Sequence, residues 1–177
     1  MKTVFEDYIK GSEFIIKEST PETVFTPENF SDEQILMKDS VKEFVDREII
    51  AERKRFENKD YEYTKEVMQK AGKLGFLGVG VPEEYGGMGM PFTSTMLVCE
   101  YISGANGSFS TAFGAHTGIG TMPIVLYGNE EQKSRYVPKL ASGEWFGSYC
   151  LTEPDAGSDA NSGKTFAKLT DDKKNYL

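Results

Sequence analysis

Apolar and polar positions between residues 31 and 49 follow the period of an α-helix. The apolar residues of one face are Met37, Val41, Phe44, Val45 and Ile49. The charged residues between them belong to the face in contact with water. Ser31 and Gln34 are spaced as in a capping box, in which each side chain bonds a free backbone N–H of the first turn. The pattern therefore predicts a helix that begins after Ser31.

Four further helical segments are predicted along the chain. They run from Thr64 to Gly75, over residues 93–103, over residues 108–120, and from Asn129 to about Gly143. Thr64 is the expected N-cap of the first of these helices, and Gly75 the expected left-handed stop. Asn129 and Gln132 repeat the cap pattern of the first helix.

Two stretches lack a helical pattern. Residues 1–30 are weakly patterned and are predicted to be an N-terminal extension. Pro21 and Pro27 disfavour helical geometry in the residue before each of them, so residues 20–27 are predicted to be extended and to lie over the surface. Residues 75–89 contain too many glycines for a helix and are expected to form a loop. No Lys-Ser or Lys-Thr pair follows these glycines, which argues against a phosphate-binding loop.

The pattern changes after residue 144. Residues 145–151 are rich in aromatic side chains and residues 164–169 alternate, as strands do, and residues 171–175 have the composition of a hairpin turn. One and a half strands would leave their edges uncovered, so we expect a longer protein. The predicted fold is mainly α: an extension over residues 1–30, an all-α domain over residues 31–144, and the incomplete beginning of a β domain over residues 145–177.

Composition excludes several classes of function. The 177 residues carry a net charge of −8, which argues against nucleic-acid binding because that requires clustered cations. No apolar run is long enough to span a membrane, and acidic residues near the N-terminus argue against a signal peptide. We therefore expect a soluble protein of the cytoplasm, or of the mitochondrial matrix in a eukaryote. Cys99 and Cys150 are expected to be buried or half-buried free thiols, and no metal site is predicted.

Three titratable residues invite a catalytic interpretation, which we do not favour. Glu153 is interpreted as a structural acid whose carboxylate accepts backbone N–H groups of its own turn. Glu100 lies in an apolar helix and is expected to be buried and hydrogen-bonded. His116, the single histidine of the chain, is expected to pack within a helix of small residues.

Residues 149–160, Tyr-Cys-Leu-Thr-Glu-Pro-Asp-Ala-Gly-Ser-Asp-Ala, resemble the flavin-contacting signature of the acyl-CoA dehydrogenase family. Three other stretches match the same family in the same order: Pro-Glu-Glu-Tyr-Gly-Gly at 82–87, Gly-Asn-Glu-Glu-Gln-Lys at 128–133 and Leu-Ala-Ser-Gly-Glu at 140–144. The resemblance covers residues 30–177. The leader and residues 114–120 look most like the long-chain and very-long-chain branch.

This resemblance implies a helical N-terminal domain, a β-barrel middle domain that contacts the flavin, and a C-terminal domain of four helices. It also implies tightly bound FAD, an acyl-CoA substrate, homo-oligomers, and an electron-transferring flavoprotein as electron acceptor. The implied reaction is the α,β-dehydrogenation of long-chain acyl-CoA in fatty-acid β-oxidation. The catalytic base of the family is a glutamate that would lie beyond residue 177, so no catalytic residue is assigned and the chain alone is expected to be inactive.

The resemblance also implies cofactor-binding residues: Tyr149, Leu151, Thr152, Gly157 and Ser158. Ser158 is expected where the flavin phosphates approach the substrate, so it is assigned to substrate binding as well. Pro154 fixes φ at a sharp turn, which would aim backbone N–H groups and the Thr152 hydroxyl at the flavin edge. Asp155 departs from the Gly or Ser common at its position.

Gly114 and Gly118, in the small-residue segment, are the remaining substrate-binding candidates. Small side chains let either a neighbouring helix or a long acyl chain lie close to this segment, and the sequence leaves both open. Two alternative functions also remain. One is another flavoenzyme of the superfamily, such as an acyl-CoA oxidase or a nitroalkane oxidase, and the other is a non-catalytic helical module for acyl-CoA binding or assembly.

Overall fold

The structure is a computed structural model that describes residues 8–9 and 11–176, so part of the predicted extension and Leu177 lie outside the described residues. The α-helices are α1 (Asp32–Phe44), α2 (Arg53–Glu57), α3 (Tyr61–Lys73), α4 (Phe92–Ala105), α5 (Gly107–Gly114), α6 (Met122–Tyr127) and α7 (Glu130–Ala141). Short 3-10 turns lie at Glu13–Ile15, Pro21–Thr23, Pro27–Asn29, Phe76–Gly78, Glu83–Tyr85 and Ala160–Ser162. The prediction of a mainly α fold is confirmed.

The predicted capping boxes are present at the starts of α1 and α7. The Ser31 hydroxyl accepts the Gln34 backbone N–H at 3.2 Å, and the Gln34 carboxamide oxygen accepts the Ser31 N–H at 3.0 Å. The Asn129 and Gln132 pair makes the same two bonds at 2.9 Å each. The amide group of Gln34 also donates to the Ser94 hydroxyl at 3.0 Å, so this cap residue ties α1 to α4.

The prediction of Thr64 as the N-cap of α3 is wrong. The helix begins at Tyr61, and the Asp60 carboxylate caps it by accepting the Tyr63 backbone N–H at 3.0 Å. Arg55 pairs with Asp60 at 2.7 Å, which favours the charged cap over the neutral Thr64 hydroxyl. Gly75 has φ of 82°, as the predicted left-handed stop requires.

Two helices widen into π-helical turns, which the sequence pattern did not indicate. The turn Val45–Ile50 continues α1, and the turn Ala115–Thr121 continues α5. The segment predicted as one helix over 108–120 is therefore α5 followed by a π-helical turn, after which α6 carries the chain on to Tyr127.

The core lies between α1, α3, α4 and α5. Its side chains are almost wholly buried, and the largest are Phe44, Ile49, Ile102 and Phe109. Phe56 meets Phe109 edge to face at a ring distance of 5.6 Å. None of the helices in the described part of the chain has the length and apolar composition needed to span a bilayer.

The predicted strands at 145–151 and 164–169 are wrong for the described residues. This part of the chain is irregular there, with isolated antiparallel bridges at Glu153–Ala156 and Leu169–Tyr176. The second bridge closes the turn predicted at 171–175, where the Thr170 N–H donates to the Asn175 carbonyl at 2.8 Å. A strand is defined by bonds to a neighbouring strand, and none lies beside these segments in the described residues, so the predicted start of a β-barrel is not seen.

Candidate functional site

An apolar cleft of about 400 Å³ lies between α4 and the segment formed by α5 and its π-helical turn. The glycine-rich connection after α3 closes one side of the cleft, with Phe76, Val79 and Val81. These three side chains are buried, so the wall is part of the packed core. The cleft can therefore accept an apolar group without rearrangement of this wall.

Gly114 and Gly118 both line this cleft. A Cβ atom added at either position would have no heavy atom within 4 Å, leaving aside chain neighbours and the helix's own backbone. Among the described residues, no atom of a neighbouring helix therefore lies against the Cβ position of either glycine. The structure thus brings together the two predicted acyl-contacting positions, and the space beside them is open.

Gly120, on the same π-helical turn, has the opposite surroundings. A Cβ atom there would lie 2.5 Å from the carbonyl carbon of Gly147. Two backbones touch at this point, which requires glycine at both positions. The contact joins the helical segment that lines the cleft to the segment that leads into the flavin-contacting signature.

The signature itself forms a tight turn. Glu153 and Ala156 exchange backbone hydrogen bonds at 3.1 Å in both directions, with Pro154 and Asp155 at the corner. Asp155 is exposed, and its carboxylate lies 3.3 Å from the Lys164 ammonium group. The predicted sharp turn is confirmed.

Glu153 holds this turn against the following segment. Its carboxylate accepts the backbone N–H groups of Lys164 at 2.7 Å and Thr165 at 3.1 Å. Hydrogen bonds from Thr165 and the two backbone amides lower the pKa of Glu153, because they favour the charged form. The interpretation of Glu153 as a structural acid is confirmed, but its N–H donors belong to the following segment and not, as expected from the sequence, to the turn itself.

All five predicted cofactor-binding residues lie on the surface, on the two sides of this turn. Tyr149 and Leu151 are 55% and 47% exposed, and Thr152, Gly157 and Ser158 are exposed as well. The hydroxyl groups of Thr152 and Ser158 have no hydrogen-bond partner among the described residues. Free hydroxyl donors beside exposed apolar side chains are a set that fits a ring system with polar edges, such as a flavin.

His116 is buried, as predicted, with 1% of its surface exposed. Its Nε2 lies 3.0 Å from the Leu140 carbonyl oxygen, and its Nδ1 accepts the Gly147 backbone N–H at 3.0 Å. Burial lowers the pKa of His116, and the Leu140 carbonyl opposes this effect. The sequence showed a packed histidine but carried no signal for its two partners, because both lie far along the chain.

The prediction for Glu100 is wrong. Its side chain is exposed, because α4 turns this position away from the core that Leu97 and Val98 enter. Cys99, half-buried beside the cleft, and Cys150 are both free thiols, and burial raises the pKa of the Cys99 thiol. Cys150 is exposed, so the prediction of burial is wrong for this residue. Residues 8–9 and 11–176 contain no group of side chains that could hold a metal ion.

Residues 31–144 match the family model described as acyl-CoA dehydrogenase, N-terminal domain. The chain therefore belongs to the acyl-CoA dehydrogenase family, whose members are oxidoreductases. The match to the family does not distinguish the long-chain branch from the others.

Particular relatives agree with this assignment. A probable acyl-CoA dehydrogenase of Bacillus subtilis is 43% identical over 171 residues, which cover 97% of this chain and 29% of the relative. The crystal structure of an acyl-CoA dehydrogenase from Bacillus anthracis, complexed with FAD, superimposes with a TM-score of 0.88 at 44% identity, over 95% of this chain and 29% of that one. A glutaryl-coenzyme A dehydrogenase in complex with glutaryl-CoA superimposes with a TM-score of 0.74 at 34% identity, over 78% and 36% of the two chains. The chain thus spans about a third of the length of these relatives.

Proposed function

We propose that this chain is the front part of an FAD-dependent acyl-CoA dehydrogenase that introduces a double bond between the α and β carbons of an acyl-CoA thioester. The observation that carries the proposal is the junction at Gly120 and Gly147, where the wall of an apolar cleft meets the segment of the flavin-contacting signature. An enzyme of this chemistry must hold an acyl chain and a flavin side by side.

In this proposal the cleft beside Gly114 and Gly118 holds the acyl chain. Its lining is mostly apolar, and burial of each methylene group contributes ~0.8 kcal/mol. The open space at both glycines supports a long acyl chain, and hence a role in fatty-acid β-oxidation. Ser158 is the proposed contact where the flavin phosphates and the substrate approach each other.

The turn after Tyr149 would contact FAD. The hydroxyl groups of Thr152 and Ser158 would donate hydrogen bonds to it, while Tyr149 and Leu151 would cover its apolar face and exclude water. When bound, FAD supplies the hydride acceptor of the reaction. This chain supplies the position and the polarity of the site, which is the usual contribution of protein to cofactor chemistry.

The catalytic base is proposed to lie outside these 177 residues. The Glu153 carboxylate is occupied by two backbone N–H groups, and the Glu100 carboxylate is exposed. Neither is therefore assigned as the group that removes the α proton, and we expect the isolated chain to be inactive.

The proposed partners follow from the same function. The electron acceptor would be an electron-transferring flavoprotein, and the complete protein would form homo-oligomers. A compartment that keeps thiols reduced, the cytoplasm or the mitochondrial matrix of a eukaryote, suits the free Cys99 and Cys150.

An anaerobic titration of the full-length, FAD-loaded gene product with a long-chain saturated acyl-CoA tests the proposal. Bleaching of the visible absorbance of the flavin is the expected result, because the substrate reduces it. Bound flavin that stays oxidised with acyl-CoA of every chain length would refute the proposed dehydrogenation. Rapid reoxidation of the bleached flavin by oxygen would assign the protein to the oxidases instead.

A further inference from the structure

His116 connects its own turn to two positions that lie 24 and 31 residues further along the chain. It lies on the π-helical turn Ala115–Thr121, its Nε2 bonds the Leu140 carbonyl at the end of α7, and its Nδ1 bonds the Gly147 amide. A backbone N–H can only donate, so Nδ1 must be the unprotonated nitrogen. The neutral ring then carries its proton on Nε2 and donates it to Leu140.

Within the part of the chain that the structure describes, the bond to Gly147 is the one hydrogen bond that fixes residues 146–152. Trp145 donates its backbone N–H to the Lys139 carbonyl at 3.0 Å, and the next backbone bond along the chain is that of Glu153. Among the residues that the structure describes, residues 146–152 make no other hydrogen bond than the one from Gly147 to His116. This segment includes Tyr149, Leu151 and Thr152.

Packing reinforces the anchor. The ring of Phe146 stands edge-on to the imidazole at a centroid distance of 5.7 Å. Gly147 also contacts the backbone of Gly120 on the π-helical turn so closely that neither position has room for a Cβ atom. The imidazole and Gly120 together determine where residue 147 lies relative to the cleft.

We propose that His116 is a positioning residue for the flavin. It holds Gly147, and through it the Tyr149–Thr152 segment, in the position required for contact with FAD beside the acyl cleft. This inference rests on the proposed function, because it takes the 149–158 region as the flavin contact. His116 touches neither the flavin nor the substrate in this proposal and acts through Gly147.

The positioning requires a neutral imidazole. A proton on Nδ1 would point at the Gly147 N–H, and two donors cannot bond each other. The hydrogen-bond and ring partners of the His116 side chain are the Leu140 carbonyl, the Gly147 amide and the Phe146 ring, and none of these three is charged. Burial lowers the pKa of His116, which keeps the ring neutral near neutral pH.

The test measures the FAD dissociation constant of the full-length protein, by titration of the apoprotein with FAD, for the wild type and three variants. His116→Phe keeps a ring but removes both nitrogens, and we expect FAD affinity to fall about tenfold because the Gly147 N–H loses its acceptor. His116→Gln keeps one acceptor and one donor and should stay within about threefold of the wild type.

Thr121→Val is the matched structural control. The Thr121 hydroxyl is buried on the same turn and donates to the His116 carbonyl at 2.7 Å, so its removal destabilises the turn without touching Gly147. Its FAD affinity should remain near that of the wild type. Exchange of the Gly147 amide hydrogen, the hydrogen-bonded one of this segment, should quicken in His116→Phe only.

The outcomes separate this inference from the proposed function. Equal FAD affinities for His116→Phe and Thr121→Val would overturn the positioning role and leave the proposed function intact. A wild-type protein that binds no FAD would overturn both. If His116→Phe does not fold, the pH dependence decides: FAD affinity of the wild type should weaken in acid more than that of His116→Gln, and identical profiles would overturn the role.

Discussion

Replacement of Gly120 by alanine is predicted to destabilise the protein through a single backbone contact. The new Cβ atom would lie 2.5, 2.7 and 2.8 Å from the carbonyl carbon, the carbonyl oxygen and the Cα of Gly147. All three are backbone atoms, so a change of side-chain rotamer cannot relieve the clash. The segment at residue 147 must move, and added bulk in a packed site of this kind typically costs ~1–3 kcal/mol.

Gly118→Ala is the matched comparison, because Gly118 lies on the same π-helical turn. A Cβ atom there has no neighbour within 4 Å. Alanine in place of glycine stabilises a helix interior by ~0.5–1 kcal/mol, and this gain applies to both variants. It cancels in the difference, so the unfolding free energy of Gly120→Ala should lie below that of Gly118→Ala by ~1–3 kcal/mol, which is the steric cost alone.

Urea unfolding followed by far-ultraviolet circular dichroism, in the absence of substrate, measures this difference. The reciprocal variant Gly147→Ala should also be destabilised, since its Cβ atom would lie 2.9 Å from the Cα and carbonyl carbon of Gly120. The double variant should lose less than the sum of the two, because both alanines push the same pair of segments apart. Equal stabilities for Gly120→Ala and Gly118→Ala would refute the reasoning.

Three further predictions concern the cleft, the first helix and the buried histidine. Gly118→Leu in the complete enzyme should shift the chain-length profile of kcat/KM toward shorter acyl-CoA, because leucine fills the open cleft. Gly104→Leu, on the exposed side of α4, is the control and should leave the profile unchanged. An unchanged profile in both variants would exclude an acyl contact at Gly118. Ser31→Ala should lower the unfolding free energy by ~1 kcal/mol in urea denaturation, since the Gln34 N–H loses its cap, whereas Ser31→Asp should retain it. Because burial lowers the pKa of His116 below its usual 6.5, stability should be full above pH 6.5 and decline as the pH falls from there through the lower folded pKa. His116→Gln should remove this part of the pH dependence, and a slope equal to that of the wild type would contradict the assignment.

Local signals in the sequence were sufficient for most of the helical part. Ser31 with Gln34 and Asn129 with Gln132 marked two helix starts, and both capping boxes are present, because a cap involves residues only three positions apart. The stretches at 82–87, 128–133 and 140–144 also pointed to the acyl-CoA dehydrogenase family, which the match over residues 31–144 shows. The start of α3 was misplaced, since the choice of Asp60 over Thr64 depended on the charge of Arg55.

Long-range contacts decided the rest. Nothing in the sequence indicated that Gly114 and Gly118 face open space while Gly120 touches Gly147, because the three glycines are identical until the chain folds. The two partners of His116 were equally invisible, since they lie 24 and 31 residues away. Residues 145–151 have the composition of a strand, but a strand also needs a neighbour to bond, and the described residues provide none. Composition and spacing determine helices and caps, because these form through local interactions. The cleft and its junction with the signature depend instead on which distant backbones meet, and so does strand formation by residues 145–151.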